Sequence, residues 1–291
     1  MNVLIVGVTG MLGYSIFSNL LEVDGLNVYG TVRSIKNKEQ FFRESKTMLI
    51  QEVDVSRVDG LVKAVESCKP EVVINCIGLI KQHDVSKQHV EAVKINSLLP
   101  HQIAKICDDN NSKLIHFSTD CVFDGEKGGY VESDNPNAND LYGRSKQLGE
   151  VDYGNHLTLR TSIIGHELSS NVSLVDWFLS QEGEVKGFKK AVFSGLPTSY
   201  IAKILSEHIL KLNTSELTGL YHLSADPIDK YSLLSTVSGV YKKEIEIHSS
   251  DQLVIDRSLD SSSIRNRLGL SIPSWPHLIE YMHSDYVKRY Q

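Results

Sequence analysis

NVLIVGVTGMLG, residues 2–13, places three kinds of signal in sequence. Val3 to Val6 are an unbroken apolar run, the pattern of a strand buried on both faces. Gly7, Gly10 and Gly13 follow with GxxGxxG spacing rather than GxGxxG. MLGYSIFSNLLE (11–22) then shows helical periodicity, with Leu12, Ile16, Leu20 and Leu21 on one side. Strand, glycine-rich turn and helix start are the context in which a backbone approaches a dinucleotide pyrophosphate. Gly7 and Gly10 lack a Cβ and allow a tight turn close to the anion. Gly13 allows the helix to pack against the sheet, and the free N–H groups of the helix start face the ligand. A glycine-rich connection without a ligand would carry the same spacing.

Outward from this stretch the pattern repeats. Strands are expected at 26–32, 47–53, 71–78, 113–119 and 156–165. Helices are expected at 58–68, 86–107 with a kink at Pro100, and 142–153. Strands alternating with helices predict a doubly wound parallel sheet covered on both faces. After about residue 165 the rhythm loosens and Gly and Ser separate shorter elements, until a last helix begins after Pro276. The chain therefore divides into a cofactor-binding domain over 1–165 and a smaller α/β substrate-binding subdomain over 166–291, packed together.

Composition narrows the classes. Of 291 residues, 41% are apolar and 23% charged, as in a soluble globular protein, and the net charge of −6 offers no footprint for nucleic acid or an anionic membrane. No apolar run approaches the ~20 residues of a spanning helix. Met1-Asn2 lead directly into VLIVG, so no signal peptide is expected, and a cytoplasmic location follows. The four cysteines (Cys68, Cys76, Cys107, Cys121) form no CxxC pair and read as reduced thiols. The histidines include no HExxH and no Cys/His quartet, so no metal is expected.

Two further positions bear on chemistry. The second strand ends in GTVRS (30–34), with no carboxylate for a ribose hydroxyl; Arg33 instead suits a 2′-phosphate, which predicts NADPH over NADH. A solvated surface arginine is the alternative reading. In LYGRSK, Tyr142 and Lys146 stand four apart, one helical turn, on one face. A phenol has a pKa near ~10, and an adjacent ammonium favours its ionised form. Thr119, which ends the preceding strand, can share the proton relay.

GVTGMLG, STDCVFDG (118–125), YGRSK and LRTSIIG (159–165), in this order, resemble the extended short-chain dehydrogenase/reductases, and most the dTDP-4-dehydrorhamnose reductase branch. YGRSKQLGE (142–150), SGLPT (194–198), RSLDSS (257–262) and Trp275-Pro276 extend the resemblance over nearly the whole chain. It implies a Rossmann domain with a sugar-nucleotide subdomain. It also implies NADPH-dependent reduction of the C4 ketone of a nucleotide-linked 6-deoxy-4-hexulose, for surface polysaccharide precursors. Tyr142 would donate the proton, Lys146 would hold the nicotinamide ribose, and Thr119 would bond the ketone oxygen. Gly7, Thr9, Gly10, Met11, Leu12 and Gly13 would cradle the pyrophosphate, and Asp54 and Val55 the adenine. Cys76, Ile77, Gly78, Asn96 and Ser118 would pass along the cofactor. Lys81, Asp120, Cys121, Val122, Ile163 and Arg257 would face the substrate. For Lys81 a bare loop lysine, and for Arg257 a surface or capping arginine, are the other readings; Trp177 reads as packing.

Related 4,6-dehydratases end this strand in TDE. Thr119-Asp120-Cys121 lacks the glutamate and so favours simple reduction. Cys121 has no activating base nearby in sequence and is no candidate nucleophile. Cys121 and Ile163 replace the branch's usual Tyr and Trp, and the glutamine common before GxPT is absent. A UDP-linked 2-acetamido-2,6-dideoxy-4-hexulose is therefore an alternative to dTDP-4-dehydrorhamnose. Other classes are a sugar-nucleotide epimerase and a non-catalytic NADPH-binding regulatory or sensor subunit. The resemblance also implies a homodimer through helices near 87–107 and 142–153.

Overall fold

A computed structural model describes residues 1–79 and 88–291. Its strands are β1 (Asn2–Val6), β2 (Asn27–Thr31), β3 (Leu49–Ile50), β4 (Val72–Asn75), β5 (Lys113–Ser118), β6 (Leu157–Arg160), β7 (Ile163–Ile164), β8 (Glu184–Phe188), β9 (Ala191–Phe193), β10 (Leu196–Pro197), β11 (Gly219–His222), β12 (Ile228–Asp229), β13 (Glu246–Ser250) and β14 (Ile255–Asp256). The helices are α1 (Met11–Leu20), α2 (Val58–Cys68), α3 (His89–Ala92), α4 (Leu99–Asp109), α5 (Leu141–Gln147), α6 (Leu174–Ser180), α7 (Thr198–Ile204), α8 (Lys230–Tyr241), α9 (Ser262–Leu268) and α10 (Trp275–Arg289).

The main sheet has seven parallel strands in the order β11-β6-β5-β4-β1-β2-β3. Why β1 sits at its centre follows from VLIV. All four side chains are fully buried, and they alternate between two cores. Val3 and Ile5 pack with Ile16, Phe17 and Leu20 of α1 and Ile201 of α7. Leu4 and Val6 pack with Leu61 and Val65 of α2 and Ile103 of α4. Each such side chain contributes roughly 1.5–3 kcal/mol by leaving water. The strand order reverses between β1 and β4, and ligands of such sheets lie outside the carboxyl ends of the strands at that crevice.

Four elements differ from the sequence expectation. The strand at 47–53 is only Leu49–Ile50. The helix at 86–107 is interrupted by a π-helical segment, Val93–Leu98, and Pro100 begins the straight helix after it instead of kinking one. Pro lacks an N–H and is tolerated in a first turn. The helix at 142–153 stops at Gln147. At Gly149 a Cβ would overlap the carbonyl of Asn96, so close approach, not periodicity, sets that end. The strand at 156–165 breaks after Arg160. Ser162 accepts a hydrogen bond from Leu196 N at 2.9 Å, and β7 pairs with β10 instead of continuing in the main sheet. β11, far along the chain, returns to that sheet beside β6.

Candidate active site

The glycine turn after β1 has the geometry its spacing predicts. Gly7 has φ of 91°, a region L side chains rarely adopt, and Ile77 lies directly over it. A Cβ on Gly13 would overlap the Gly7 carbonyl, so Gly13 sets how closely α1 packs. At Gly10 a Cβ would meet only the Gly7 oxygen, at 3.7 Å, leaving open space above the turn. Gly10 caps α1 with no side-chain bond, and the first N–H groups of a helix have no intrahelical partner. The turn thus fits an anionic pyrophosphate. Leu12 is buried and offers its backbone; Thr9 and Met11 are half-buried.

Arg33 is exposed, just past β2, and its guanidinium helps hold the Asp54 carboxyl below the usual range, after the hydrogen bonds from Ser56. Lys38, which sequence reasoning missed, places its ammonium 3.5 Å from the carbonyl of Thr9 in the turn. Val55 packs against the core at the α2 face, and Cys76, half-buried, against the core at the α1 face. Asn96 is buried; its Oδ1 accepts from Leu79 N at 2.8 Å and its Nδ2 donates to Ser145 at 3.1 Å. At Gly78 a Cβ would stand 3.6 Å from Asn96 Oδ1 and 3.7 Å from the Lys146 ammonium. Gly78, Asn96 and Lys146 therefore meet at one point. Lys81 lies outside the described residues.

The residues expected to share the proton stand just past β5 and on α5. Thr119 follows β5; its hydroxyl donates to Asp120 at 3.1 Å and accepts from Cys121 N at 3.1 Å. Asp140 caps α5 by accepting from Gly143 N at 2.8 Å. Gly143 is required there, because a Cβ would overlap the carbonyl of Cys121. That close approach sets Tyr142 beside Thr119 and Cys121. Burial raises the Tyr142 phenol above its ordinary value, Cys121 and Asp120 add to this, and the Thr119 hydroxyl opposes it. The lysine effect expected from sequence is not among these causes. Lys146, 4% exposed, donates to the carbonyl of Phe117 at 2.7 Å, and burial lowers its pKa to about 8.

Below this pair lies an ion pair that sequence reasoning did not single out. Arg160, at the end of β6, forks onto Glu150 at 2.7 and 2.8 Å, and Ser118 donates to Glu150 at 2.6 Å. The hydroxyl of Ser118 is thus committed to the scaffold. YGRSKQLGE shows Glu150 as the last letter of a motif, but nothing local marks Arg160 as its partner. Of the expected substrate residues, Asp120 is buried, Cys121 is half-buried, and Ile163 pairs beside Leu196. Val122 is fully buried among Phe123, Tyr130 and Leu259, so its side chain is part of a core. Arg257 donates from Nε to the carbonyl of Phe123 at 2.9 Å and from Nη1 to Cys121 Sγ at 3.8 Å, so it caps no helix. Burial and Asp120 push the Cys121 thiol up to about 12, against the pull of Arg257.

With this geometry, residues 1–252 match the family described as the RmlD substrate binding domain. The chain belongs to this family. Among relatives it is similar to a probable low-salt glycan biosynthesis reductase of Haloferax volcanii, 33% identical over 50% of this chain and 46% of that one. A dTDP-4-dehydrorhamnose reductase of Salmonella typhimurium is 26% identical over 77% and 73% of the two chains. Methionine adenosyltransferase 2 subunit beta of Danio rerio is 27% identical over 82% and 73%. The matched stretches thus span from about half to about three quarters of these relatives. The fold is that of the dTDP-4-dehydrorhamnose reductase of Bacillus anthracis in complex with NADP, with a TM-score of 0.78, 20% identity, and 98% and 99% of the chains covered. The seven-stranded parallel sheet provides a Rossmann-like frame for the turn and the Tyr142 helix.

Proposed function

We propose that the protein is an NADPH-dependent reductase of the C4 ketone of a nucleotide-linked 6-deoxy-4-hexulose. The substrate is dTDP-4-dehydrorhamnose or a UDP-linked 2-acetamido-2,6-dideoxy-4-hexulose, and the product serves surface polysaccharide synthesis. The carrying observation is a phenol kept protonated beside Thr119, with a thiol where elimination would need a carboxylate base. NADPH, bound along the glycine turn, supplies the hydride to C4. Tyr142 gives its proton to the C4 oxygen, and Thr119 orients that oxygen by hydrogen bonding. Lys146 holds the ribose beside Gly78 and Asn96. Cys121, with a pKa of about 12, is no base at neutral pH, which disfavours dehydration. Arg33, with Lys38 near the turn, supports NADPH over NADH through the 2′-phosphate.

Residues 1–165 form the cofactor half and 166–291 the sugar-nucleotide half in this reading, and the protein works as a homodimer. The similarity to a methionine adenosyltransferase subunit supports a second reading, a nucleotide-binding subunit without turnover. The deciding experiment offers dTDP- and UDP-linked 4-keto-6-deoxyhexoses with NADPH or NADH, following oxidation at 340 nm and the product by NMR. The expected result is a 4-hydroxy sugar formed faster with NADPH. Tyr142→Phe is expected to lower kcat by roughly 10²–10⁴-fold while the NADPH Kd stays within about twofold, the phenol being spent on proton transfer rather than on cofactor affinity. Tight NADPH binding with no turnover of any sugar would favour the subunit reading.

A further inference from the structure

Lys230 breaks two local rules. It is the first residue of α8, where a cation meets the positive end of the helix dipole. It is also half-buried, and among the described residues its ammonium has no ion pair and no hydrogen bond. The neighbouring Asp229 carboxylate is committed to the helix cap, accepting from Ser232 N at 2.9 Å and Ser232 Oγ at 2.6 Å. The Lys230 ammonium instead sits 4.0 Å over the ring of Phe193. β12, just before it, pairs with β9, so the pairing of Ile228 with Phe193 sets that position. Phe193 leads through Ser194 and Gly195 into β10, which lies beside Ile163. β9 lies between β12 and β14, with Val192 facing Asp229 on one side and Asp256 on the other, so Lys230 and Arg257, each the next residue, flank the same short strand. Arg257, just past β14, reaches Cys121, its Nη1 3.8 Å from the sulfur. Two cations distant in sequence thus stand on either side of β9, with Arg257 reaching the chain just past Thr119, and Asp120 is the carboxylate that acts on Lys230. A residue that breaks local rules without a compensating partner is expected where a ligand completes the site.

We propose that Lys230 joins Arg257 in a two-cation seat for the pyrophosphate bridge of the nucleotide sugar. Arg257 fixes the geometry, because its Nε is held by Phe123, and Lys230 supplies the adaptable charge. The proposal rests on the reading of this pocket as a sugar-nucleotide site. The test is calorimetry with NADP⁺ present, measuring dTDP, UDP, UDP-glucose and UDP-glucuronate against wild type, Lys230→Met and Lys230→Arg. The expected result is at least about tenfold weaker binding in Lys230→Met, largely restored in Lys230→Arg, with NADP⁺ affinity and melting temperature unchanged. A loss shared by dTDP and UDP identifies the pyrophosphate. A loss confined to the preference for UDP-glucuronate over UDP-glucose overturns the pyrophosphate seat and puts Lys230 beside the sugar instead. Equal affinities in wild type and Lys230→Met overturn the seat and leave the reductase reading intact. Wild type that binds none of the four ligands overturns both.

Discussion

At the scale of single residues, burial sets the chemistry here more than pairwise charge does. Lys146 is the clearest case. Its ammonium is buried against Phe117, and its pKa of about 8 lies well below that of a free lysine, with Glu150 resisting the fall. A depressed lysine loses its charge as pH rises through its folded pKa, so cofactor attraction that depends on the charge is present below about pH 8 and lost above it. Fluorescence titration of NADPH should therefore show Kd weakening between pH 7 and 9.5 in wild type. In Lys146→Met the Kd should be weaker at pH 7 and flat across that range; a flat wild-type profile would refute the role. Tyr142 and Lys146 were readable as a pair from their spacing. The direction in which the phenol shifts was not, because it depends on burial by groups from β5.

At the scale of elements, α5 is placed by glycines and by one ion pair. Gly143 and Gly149 let the helix approach Cys121 and Asn96, and Glu150 ties its end to Arg160 and Ser118. Arg160 and Glu150 are only 5% and 8% exposed, so removing one partner leaves a buried charge without compensation. Glu150→Gln should destabilise the fold by about 3 kcal/mol, measured as a lowered urea midpoint at unchanged m. It should also lower the Lys146 pKa further, since Glu150 raises it. An unchanged midpoint would show that the pair is dispensable. The glycines were visible in YGRSKQLGE, but not their neighbours, because Gly143 meets Cys121 and Gly149 meets Asn96 across long stretches of chain, and closing such loops leaves no local signal.

At the scale of the whole molecule, an apolar face remains. Val90 (64% exposed), Val93 (46%), Leu98 (50%), Leu148 (65%) and Tyr153 (47%) lie on α3, the π-helical segment, the end of α5 and the stretch after it; the three helical elements pack on one another. His101 stacks on Tyr153 and bonds the Leu148 carbonyl, holding part of this face in place. Grouped exposed apolar side chains mark interaction sites, and a second copy is the occupant the reductase reading implies. Light scattering is expected to give a dimer in wild type and a monomer in the Val90→Lys, Leu148→Lys double variant. A wild-type monomer would refute it.

The sequence by itself determined the doubly wound frame, the glycine turn after β1 and the helix that carries Tyr142 and Lys146, because each is written in local periodicity or short spacing. Tertiary structure decided the rest. β11 joins the main sheet from far along the chain, β7 leaves it to pair with β10, and Arg160 finds Glu150 across two elements. That Lys230 and Arg257 flank one strand is likewise invisible locally: RSLDSS marks Arg257, but nothing near it marks Lys230 as its neighbour across β9. The physical reason is common to all of these. Periodicity records which face of an element is buried, whereas a pairing of buried charges depends on which other element comes to cover that face.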